Sequence, residues 1–393
     1  MNIARKNVVV TGMACVCAAG QSPDAVLESF EQGLRRLSSP SALDPRALPF
    51  PYFAVDENCF PEGRRHSAKD TLLLADIVVR AVLAQANLPE PSLVRAGVVL
   101  GTSAGSALHF LDSYAASRAG EACASQDIDD YFVANAALNL DIPSCGPRLT
   151  ITNACTSGTD ALGLALDMVQ TGQCDCVVCG GADALSLVPH TGFARLMVYD
   201  GEPCRPFDRT RKGLNLGEGA AALILESEEH ARQRAAPILG RILGYGGMAD
   251  AHHFTAPHPE GRGLAASIRI ALEHAGLGVS DMAFVNAHGT ATLENDKVEG
   301  GVLARLLPAT PVWASKGGTG HTLGAAGALE AVLALQALNR RRVPASLGFT
   351  TPDPDIGILP TQEVLALDSP YALSTSLGFG GSNAALVLCR GDA

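Results

Sequence analysis

The chain has 393 residues, of which 47% are hydrophobic and only 18% are charged. This composition can bury a large core and argues against intrinsic disorder. Lysine and arginine number 29 against 40 acidic residues, a net charge of −11, which argues against nucleic acid as a partner. No apolar run approaches the ~18 residues of a membrane span, and the N-terminus lacks a signal-peptide cleavage site. The sequence therefore predicts a cytoplasmic protein with no membrane partner and reduced cysteines.

Short β-branched apolar runs alternate with longer helical patterns along the chain. The predicted strands are 7–10, 97–101, 148–152, 176–179, 220–225, 283–286, 312–315, 372–376 and 384–388. The predicted helices are 22–37, 67–86, 156–171, 264–275, 296–307 and 325–339. Several strands are apolar on both faces, which predicts an α/β fold with helices layered on both sides of a sheet. Helix 325–339 is almost wholly apolar, so we expect it to be buried all round.

The chain divides near the charged stretch E-S-E-E-H-A-R-Q-R-A-A-P. On each side a strand runs into a turn of small residues and then a buried helix. The two segments are T-I-T-N-A-C-T-S-G-T-D-A-L-G (150–163) and W-A-S-K-G-G-T-G-H-T-L-G-A-A-G (313–327). The pattern indicates an internal duplication with halves at 1–230 and 231–393.

Cys155 lies between a predicted strand and a predicted helix. At a helix N-terminus the macrodipole and the free N–H groups favour a thiolate, so we expect a lowered pKa. Its backbone N–H could also face a substrate oxygen. The alternative is a buried core thiol without a chemical role.

His288 and His321 each follow a predicted strand, as Cys155 does. Ligands of open α/β sheets bind at the carboxyl ends of strands, so the three residues are expected to share a site. A cysteine with two imidazoles suits thioester chemistry, because the sulfur attacks a carbonyl while the rings donate to an enolate oxygen. Taken singly, each histidine could instead be structural.

Four motifs together resemble the elongating β-ketoacyl-acyl-carrier-protein (ACP) synthases. They are T-N-A-C-T-S-G-T (152–159), N-A-H-G-T-A-T (286–292), K-G-G-T-G-H-T-L-G-A-A-G (316–327) and G-F-G-G-S-N (378–383), in the family's order. The resemblance covers nearly the whole chain. It implies a thiolase-like duplicated fold with α-β-α-β-α layers, and a dimer. It also implies decarboxylative Claisen condensation of malonyl-ACP with a cysteine-bound acyl chain in fatty-acid or polyketide synthesis.

The resemblance assigns roles at matching positions. Cys155 would carry the acyl group, and His288 and His321 would bind the malonyl thioester carbonyl and stabilise the enolate. Lys316 would anchor the His321 loop, paired with Glu299.

Further roles concern the substrate channel. Phe379 would gate the pocket, and its N–H would join that of Cys155 in an oxyanion hole. Thr290 and Thr292 would bind the phosphopantetheine arm, which the carrier delivers; no bound metal or other cofactor is implied. Alternatively, Thr290 and Thr292 could simply be turn residues, and Phe379 could be an aromatic residue of the core.

The segments D-A-H-H-F-T-A-P-H-P-E-G (250–261) and G-T-S-A-G (101–105) are most similar to condensing subunits that build aryl polyenes. Those subunits work beside a chain-length factor, so the partner is a second copy or such a subunit. Arg64, Arg65 and Lys69 form a basic group that we interpret as a docking patch for acidic ACP. The alternative is that these three residues are solvent-exposed side chains at the start of a helix, with no binding role.

Several rival functions fit the sequence less well. A thiolase would need a second cysteine where Phe379 stands, and Cys389 lies in an apolar, strand-like run. A priming synthase would carry asparagine in place of His321, and a non-catalytic chain-length factor would lack Cys155. The G-T-S-A-G segment matches a serine-hydrolase elbow but leaves the cysteine and histidines unexplained. The glycine spacing of G-G-T-G-H-T-L-G does not fit a dinucleotide loop.

The remaining candidates concern metal sites. Cys174, Cys176 and Cys179 are close in sequence, but strand geometry places Cys176 and Cys179 on opposite faces. His252, His253 and His258 fit no zinc spacing and are expected in a loop near the pocket.

Overall fold

A computed structural model describes residues 5–39, 48–60, 69–103, 105, 111–122 and 136–393. Its strands are β1 (Val8–Cys17), β2 (Gly97–Gly101), β3 (Arg148–Ile151), β4 (Cys176–Asp183), β5 (Gly219–Ser227), β6 (Gly240–Ala249), β7 (Met282–Ala287), β8 (Val312–Ala314), β9 (Arg342–Val343), β10 (Leu365–Ala366), β11 (Tyr371–Gly378) and β12 (Ser382–Arg390). Its α-helices are α1 (Pro23–Glu31), α2 (Asp70–Ala86), α3 (Glu90–Val94), α4 (Leu111–Arg118), α5 (Ala136–Asn139), α6 (Ser157–Gln170), α7 (Leu187–Arg195), α8 (Glu228–Gln233), α9 (Arg262–Ala275), α10 (Leu293–Leu306), α11 (Lys316–Thr319) and α12 (Ala326–Asn339).

The sheet confirms the predicted duplication. The first five strands are ordered β3-β2-β4-β5-β1, and the equivalent strands of the second half are ordered β8-β7-β11-β12-β6. In both halves the first three strands of this order are parallel and the last two pair antiparallel. The two sets join through one pairing, Val10 with Gly240. Each half therefore repeats one topology.

The helices complete five layers. The equivalent helices α6 and α12 lie in the centre and contact strands of both halves. Outside them, α2 covers the first set of strands and α9 and α10 cover the second. Helix α12 is buried from Ala326 to Leu335, as its apolar sequence predicts. This α-β-α-β-α arrangement brings the ends of β3, β7 and β8 toward one another.

Strand β6 was missed in the sequence because it is rich in glycine. An added Cβ would lie 2.1 Å from the Ala271 carbonyl oxygen at Gly244, and 2.2 Å from that of Ser267 at Gly246. Both carbonyls belong to α9, so the glycines let this helix lie directly on the strand. A strand of this kind carries no apolar alternation to detect.

Glycine also explains strands that run beyond their predicted ends. β1 continues through Gly12 to Cys17, and β4 continues through Gly180 and Gly181 to Asp183. Helix α1 is shorter than predicted. It ends at Glu31.

We expect the substitution Gly244→Ala to lower the free energy of unfolding by about 2 kcal/mol, because the methyl group forces α9 away from β6. Urea titration followed by circular dichroism measures this change. Gly192→Ala in α7 is the control, since its added Cβ meets no atom within 4 Å. Equal unfolding midpoints for the two variants would contradict the close packing.

Candidate active site

Three loops meet where their strands end. Cys155 follows β3, His288 follows β7, and His321 follows β8. The Nε2 atom of His321 lies 3.1 Å from the Cys155 sulfur, and the two imidazole centroids are 5.1 Å apart. All three side chains are buried. The structure thus brings together the three residues that the sequence singled out.

A strained turn presents Cys155. Ala154 has a φ of +49°, which is unfavourable for a residue with a Cβ. The Ser157 hydroxyl donates to the Ala154 carbonyl at 2.6 Å and accepts from the Asn153 N–H at 2.8 Å. These bonds hold the turn at the start of α6. They leave the Cys155 N–H without a protein oxygen acceptor among the described residues.

The expected lowering of the Cys155 pKa is wrong. Burial raises the pKa of the thiol to about 12, although the Lys316 charge and the Phe379 N–H oppose the rise. A helix N-terminus stabilises an anion by about 1 kcal/mol, less than a tenfold change in thiolate population, so desolvation dominates. The resting sulfur is a thiol, and His321 is the base within reach.

His288 is a neutral imidazole with a defined tautomer. Burial lowers its pKa well below the usual range, and Lys316 and His321 lower it further. The Lys316 ammonium lies 3.2 Å from Nδ1 and donates to the His288 carbonyl oxygen at 2.5 Å. Since the ammonium can only donate, Nδ1 accepts and the ring proton is assigned to Nε2.

His321 is neutral as well, but its tautomer is not fixed. Burial, followed by the Lys316 charge, lowers its pKa well below the usual range. Its backbone N–H donates to the Asn215 carbonyl, and its carbonyl accepts from the Gly217 N–H, both at 2.9 Å. Its Nδ1 is buried and has no hydrogen-bond partner among the described residues. Nε2 can therefore accept a proton in one step and donate one in another.

The predicted pairing of Lys316 with Glu299 is wrong. Lys316 forms its ion pair with Glu330, on the second turn of α12. Glu299 instead accepts 2.8 Å hydrogen bonds from the N–H groups of His288 and Gly289 and from the Thr375 hydroxyl. The Glu299 carboxylate thus holds the His288 loop by binding the backbone N–H groups of that loop.

Glu330 was missed, although it left a signal in the sequence. It is the only charged residue of α12, and a lone acid in the buried part of a helix needs a partner. Burial raises its pKa to about 7, while the Lys316 ammonium opposes the rise. The partner lies 14 positions earlier, beyond any helical spacing.

Asp183 at the end of β4 was also missed. It accepts from the Thr102 hydroxyl at 2.6 Å, the Ser103 N–H at 2.8 Å and the Gly324 N–H at 2.7 Å. Burial raises its pKa to about 6, and these hydrogen bonds oppose the rise. The carboxylate therefore ties the end of β2 to the turn that follows His321.

The G-F-G-G turn lies over Cys155. The Phe379 N–H faces the Cys155 sulfur, and the Phe379 ring stacks on Phe193, which the sequence did not indicate, with centroids 5.3 Å apart. Gly380 and Gly381 have φ values of +87° and +80°, which glycine adopts readily.

A cavity of about 320 Å³ runs from Cys155 to the surface. Thr290 and Thr292 line it, together with His288 and Phe379. The two threonine hydroxyls lie 2.9 Å apart. The cavity gives an extended substrate arm a path to the sulfur.

The other sequence candidates lie elsewhere. Arg64 and Arg65 fall outside the described residues, while Lys69 precedes α2 and is half-buried. Cys179 packs in the central core and Cys176 faces the Ser92 carbonyl, so the two cysteines do point to opposite faces, as predicted. Cys389 pairs with Tyr371, at the far end of β12 from the G-F-G-G turn.

Metal-binding and membrane-spanning features are both missing from the described part of the chain. It contains no group of three or more histidine, cysteine or acidic residues able to hold a metal ion, and none of its helices could cross a membrane.

Alkylation of Cys155 tests its raised pKa. Because the pKa is about 12, the thiolate fraction should grow about tenfold per pH unit between about pH 7 and pH 10, and the rate should not level off. Mass spectrometry of the Cys155 peptide after timed iodoacetamide pulses measures the rate. Labelling of the exposed Cys145 in the same samples serves as an internal reference, because it shows that the reagent was active and that each pulse was quenched. A plateau below about pH 8 would support the lowered pKa expected from the sequence instead.

Double-mutant cycles distinguish the two possible partners of Lys316. Removing one member of a buried pair strands the other charge, so Lys316→Met and Glu330→Gln should couple by about 2 kcal/mol or more in urea unfolding. The matched cycle of Lys316→Met with Glu299→Gln should couple by less than about 1 kcal/mol. Equal coupling in both cycles would contradict the assigned pair.

Known proteins share both the sequence and the fold. Residues 5–231 match the β-ketoacyl synthase N-terminal domain, and residues 239–350 match its C-terminal domain. The 3-oxoacyl-(acyl-carrier-protein) synthase 2 of Staphylococcus aureus (strain COL) is 31% identical over 413 aligned positions, covering 99% of each chain. The Mycobacterium tuberculosis (strain H37Rv) protein of that name is 35% identical over 332 positions, 81% of this chain and 80% of that one. The solved structure of the ishigamide ketosynthase/chain length factor is 28% identical with a TM-score of 0.88, covering 98% of this chain and 100% of that one. The chain therefore belongs to the β-ketoacyl synthase family.

Proposed function

We propose that this protein condenses malonyl-ACP with an acyl group carried on Cys155, releasing CO2 and forming a β-ketoacyl-ACP. The observation that carries the proposal is the Cys155 sulfur 3.1 Å from Nε2 of His321, with the His288 ring 5.1 Å from the His321 ring and both Cys155 and His288 lining one cavity. The relatives named as 3-oxoacyl-ACP synthases support the reaction class. The pathway is fatty-acid or polyketide synthesis, and the 250–261 and 101–105 segments favour the aryl-polyene branch.

The first half-reaction moves the acyl group from ACP to Cys155. Nε2 of His321 accepts the thiol proton as the sulfur attacks the acyl carbonyl. The N–H groups of Cys155 and Phe379 stabilise the oxyanion. The bond to the carrier sulfur breaks, and that sulfur leaves with the proton from His321. The acyl group is now a thioester on Cys155, the carrier holds a free thiol, and His321 is neutral again.

The second half-reaction forms the carbon–carbon bond. Malonyl-ACP binds with its thioester carbonyl toward Nε2–H of His288 and toward His321. The bond to the carboxylate breaks, CO2 leaves, and the electron pair forms an enolate that both imidazoles stabilise. Its α-carbon attacks the acyl carbonyl, the bond to Cys155 breaks, and the released thiolate takes up a proton from solvent water that enters through the cavity. Neutral rings are required here because an imidazolium would hold the enolate too strongly to let it react.

The buried charges keep those rings in position. Lys316 fixes the His288 tautomer and lowers the pKa of both imidazoles. Glu330 compensates the Lys316 charge, and Glu299 holds the backbone of the His288 loop. Phe379 acts as the gate, and Thr290 and Thr292 bind the phosphopantetheine arm that the carrier brings. No resident cofactor takes part in these steps.

The assembly and location complete the proposal. We assign the chain to a dimer, with either a second copy or a chain-length-factor-like subunit; the ishigamide relative, which is named as a ketosynthase/chain length factor, supports the latter. The halves 1–230 and 231–393 act as one unit, since Cys155 and His321 come from different halves. Every described cysteine is free, which supports work in the reducing cytoplasm.

Two alternatives receive less support. A non-catalytic chain-length factor would not require a cysteine beside two neutral imidazoles, which is the arrangement of Cys155 here. A thiolase would place a second cysteine over the first, where Phe379 lies.

Cys155→Ala and His288→Ala separate the two half-reactions. After incubation with acyl-ACP, intact-protein mass spectrometry should show an acyl adduct on the wild type and on His288→Ala, but not on Cys155→Ala. Release of labelled CO2 from malonyl-ACP should fall at least about a hundredfold in His288→Ala, because a donor to the enolate is lost. The adduct mass also identifies the acyl chain.

Each rival predicts a different result. A non-catalytic subunit would show no adduct on Cys155 and no CO2 release in any variant. A thiolase would condense acyl-thioesters without releasing CO2. Either outcome would overturn the proposal.

A further inference from the structure

Large apolar side chains surround the mouth of the Cys155 cavity. We define the apolar rim as Leu196, Met197, Phe254 and Leu293, all of them exposed. Met197 is 87% and Phe254 85% exposed, the highest values among the described large apolar residues. Leu196, Met197 and Leu293 line the cavity, and Phe254 precedes Thr255, which also lines it. An exposed apolar cluster at a cavity mouth marks an interaction surface.

The backbone holds these side chains outward. Met197 has a φ of +57°, and its N–H donates to the Ala194 carbonyl at 3.0 Å. The Val198 carbonyl accepts from the Leu214 N–H at 2.8 Å, so the turn is fixed on both sides. The Phe254 carbonyl accepts from the Gly380 N–H at 2.7 Å, which fixes it to the G-F-G-G turn. The exposure is therefore built into the fold.

One cation accompanies the apolar rim. Lys212 is exposed, lines the same cavity, and forms no hydrogen bond or ion pair with another described residue. The acids nearby are Glu294, which is exposed, and Asp250, whose oxygens accept from the N–H groups of His258 and Gly263. A lysine without a partner at a cavity mouth suits an incoming anion.

We infer that the apolar rim and Lys212 form the docking surface for ACP, with Lys212 binding the phosphodiester of the phosphopantetheine arm and the rim binding an apolar patch of the carrier. The inference rests on the proposed function. The thioester must reach Cys155 at the buried end of the cavity, so the phosphodiester and the carrier remain at its mouth. Apolar contact there would be far less sensitive to salt than a basic docking patch.

Three malonyl thioesters test the two contacts separately: malonyl-ACP, malonyl-phosphopantetheine and malonyl-pantetheine. Lys212→Gln should raise the KM ratio of malonyl-phosphopantetheine to malonyl-pantetheine about fivefold, because only the former carries a phosphate. The double variant Met197→Gln/Phe254→Gln should raise the KM ratio of malonyl-ACP to malonyl-phosphopantetheine about tenfold, and this increase should persist at high salt. Labelled CO2 release measures each KM.

Matched controls lie outside the cavity. Lys6→Gln removes the same charge at the opposite end of the strands, where Lys6 pairs with Asp175 at 3.1 Å. Leu359→Gln removes an apolar side chain that is 60% exposed. Neither control should move the KM ratios. Unchanged ratios in active Lys212 and rim variants would overturn the docking inference alone. A wild-type protein inactive toward all three thioesters would overturn the proposed function.

Discussion

The site depends on one contact between the two halves of the chain, the 3.1 Å approach of His321 Nε2 to the Cys155 sulfur. Each residue lies in a segment that follows a strand of its own half, and only the face-to-face packing around α6 and α12 joins them. The duplicated topology therefore has a chemical consequence. One half supplies the sulfur, and the other half supplies both imidazoles.

Burial sets the protonation states of this contact. Burial disfavours charge, so it keeps the sulfur protonated and both imidazoles neutral. The Lys316–Glu330 pair places a compensated cation behind the rings, and its charge disfavours imidazolium. In the resting state the sulfur and the His321 ring therefore carry no charge. The proton moves from the sulfur to the ring only as the sulfur attacks. The same burial strengthens hydrogen bonds to an oxyanion or enolate.

The two ends of the cavity have different roles in substrate binding. The buried end holds the reacting atoms, which must be precise, whereas the mouth presents exposed apolar side chains and Lys212. A substrate delivered on a long arm suits this separation, because carrier contacts at the surface do not disturb the reacting atoms. Changes at the mouth can then alter partner choice without altering the chemistry.

The sequence alone determined the alternation of strands and helices, the internal duplication, and Cys155, His288 and His321, because each leaves a local pattern. It missed β6, whose glycines serve a helix contact and carry no alternation. It also assigned the wrong partner to Lys316 and the wrong direction to the Cys155 pKa. Only the tertiary structure decided these, since pairing across α12 and the desolvation of a sulfur depend on which distant segments pack around it.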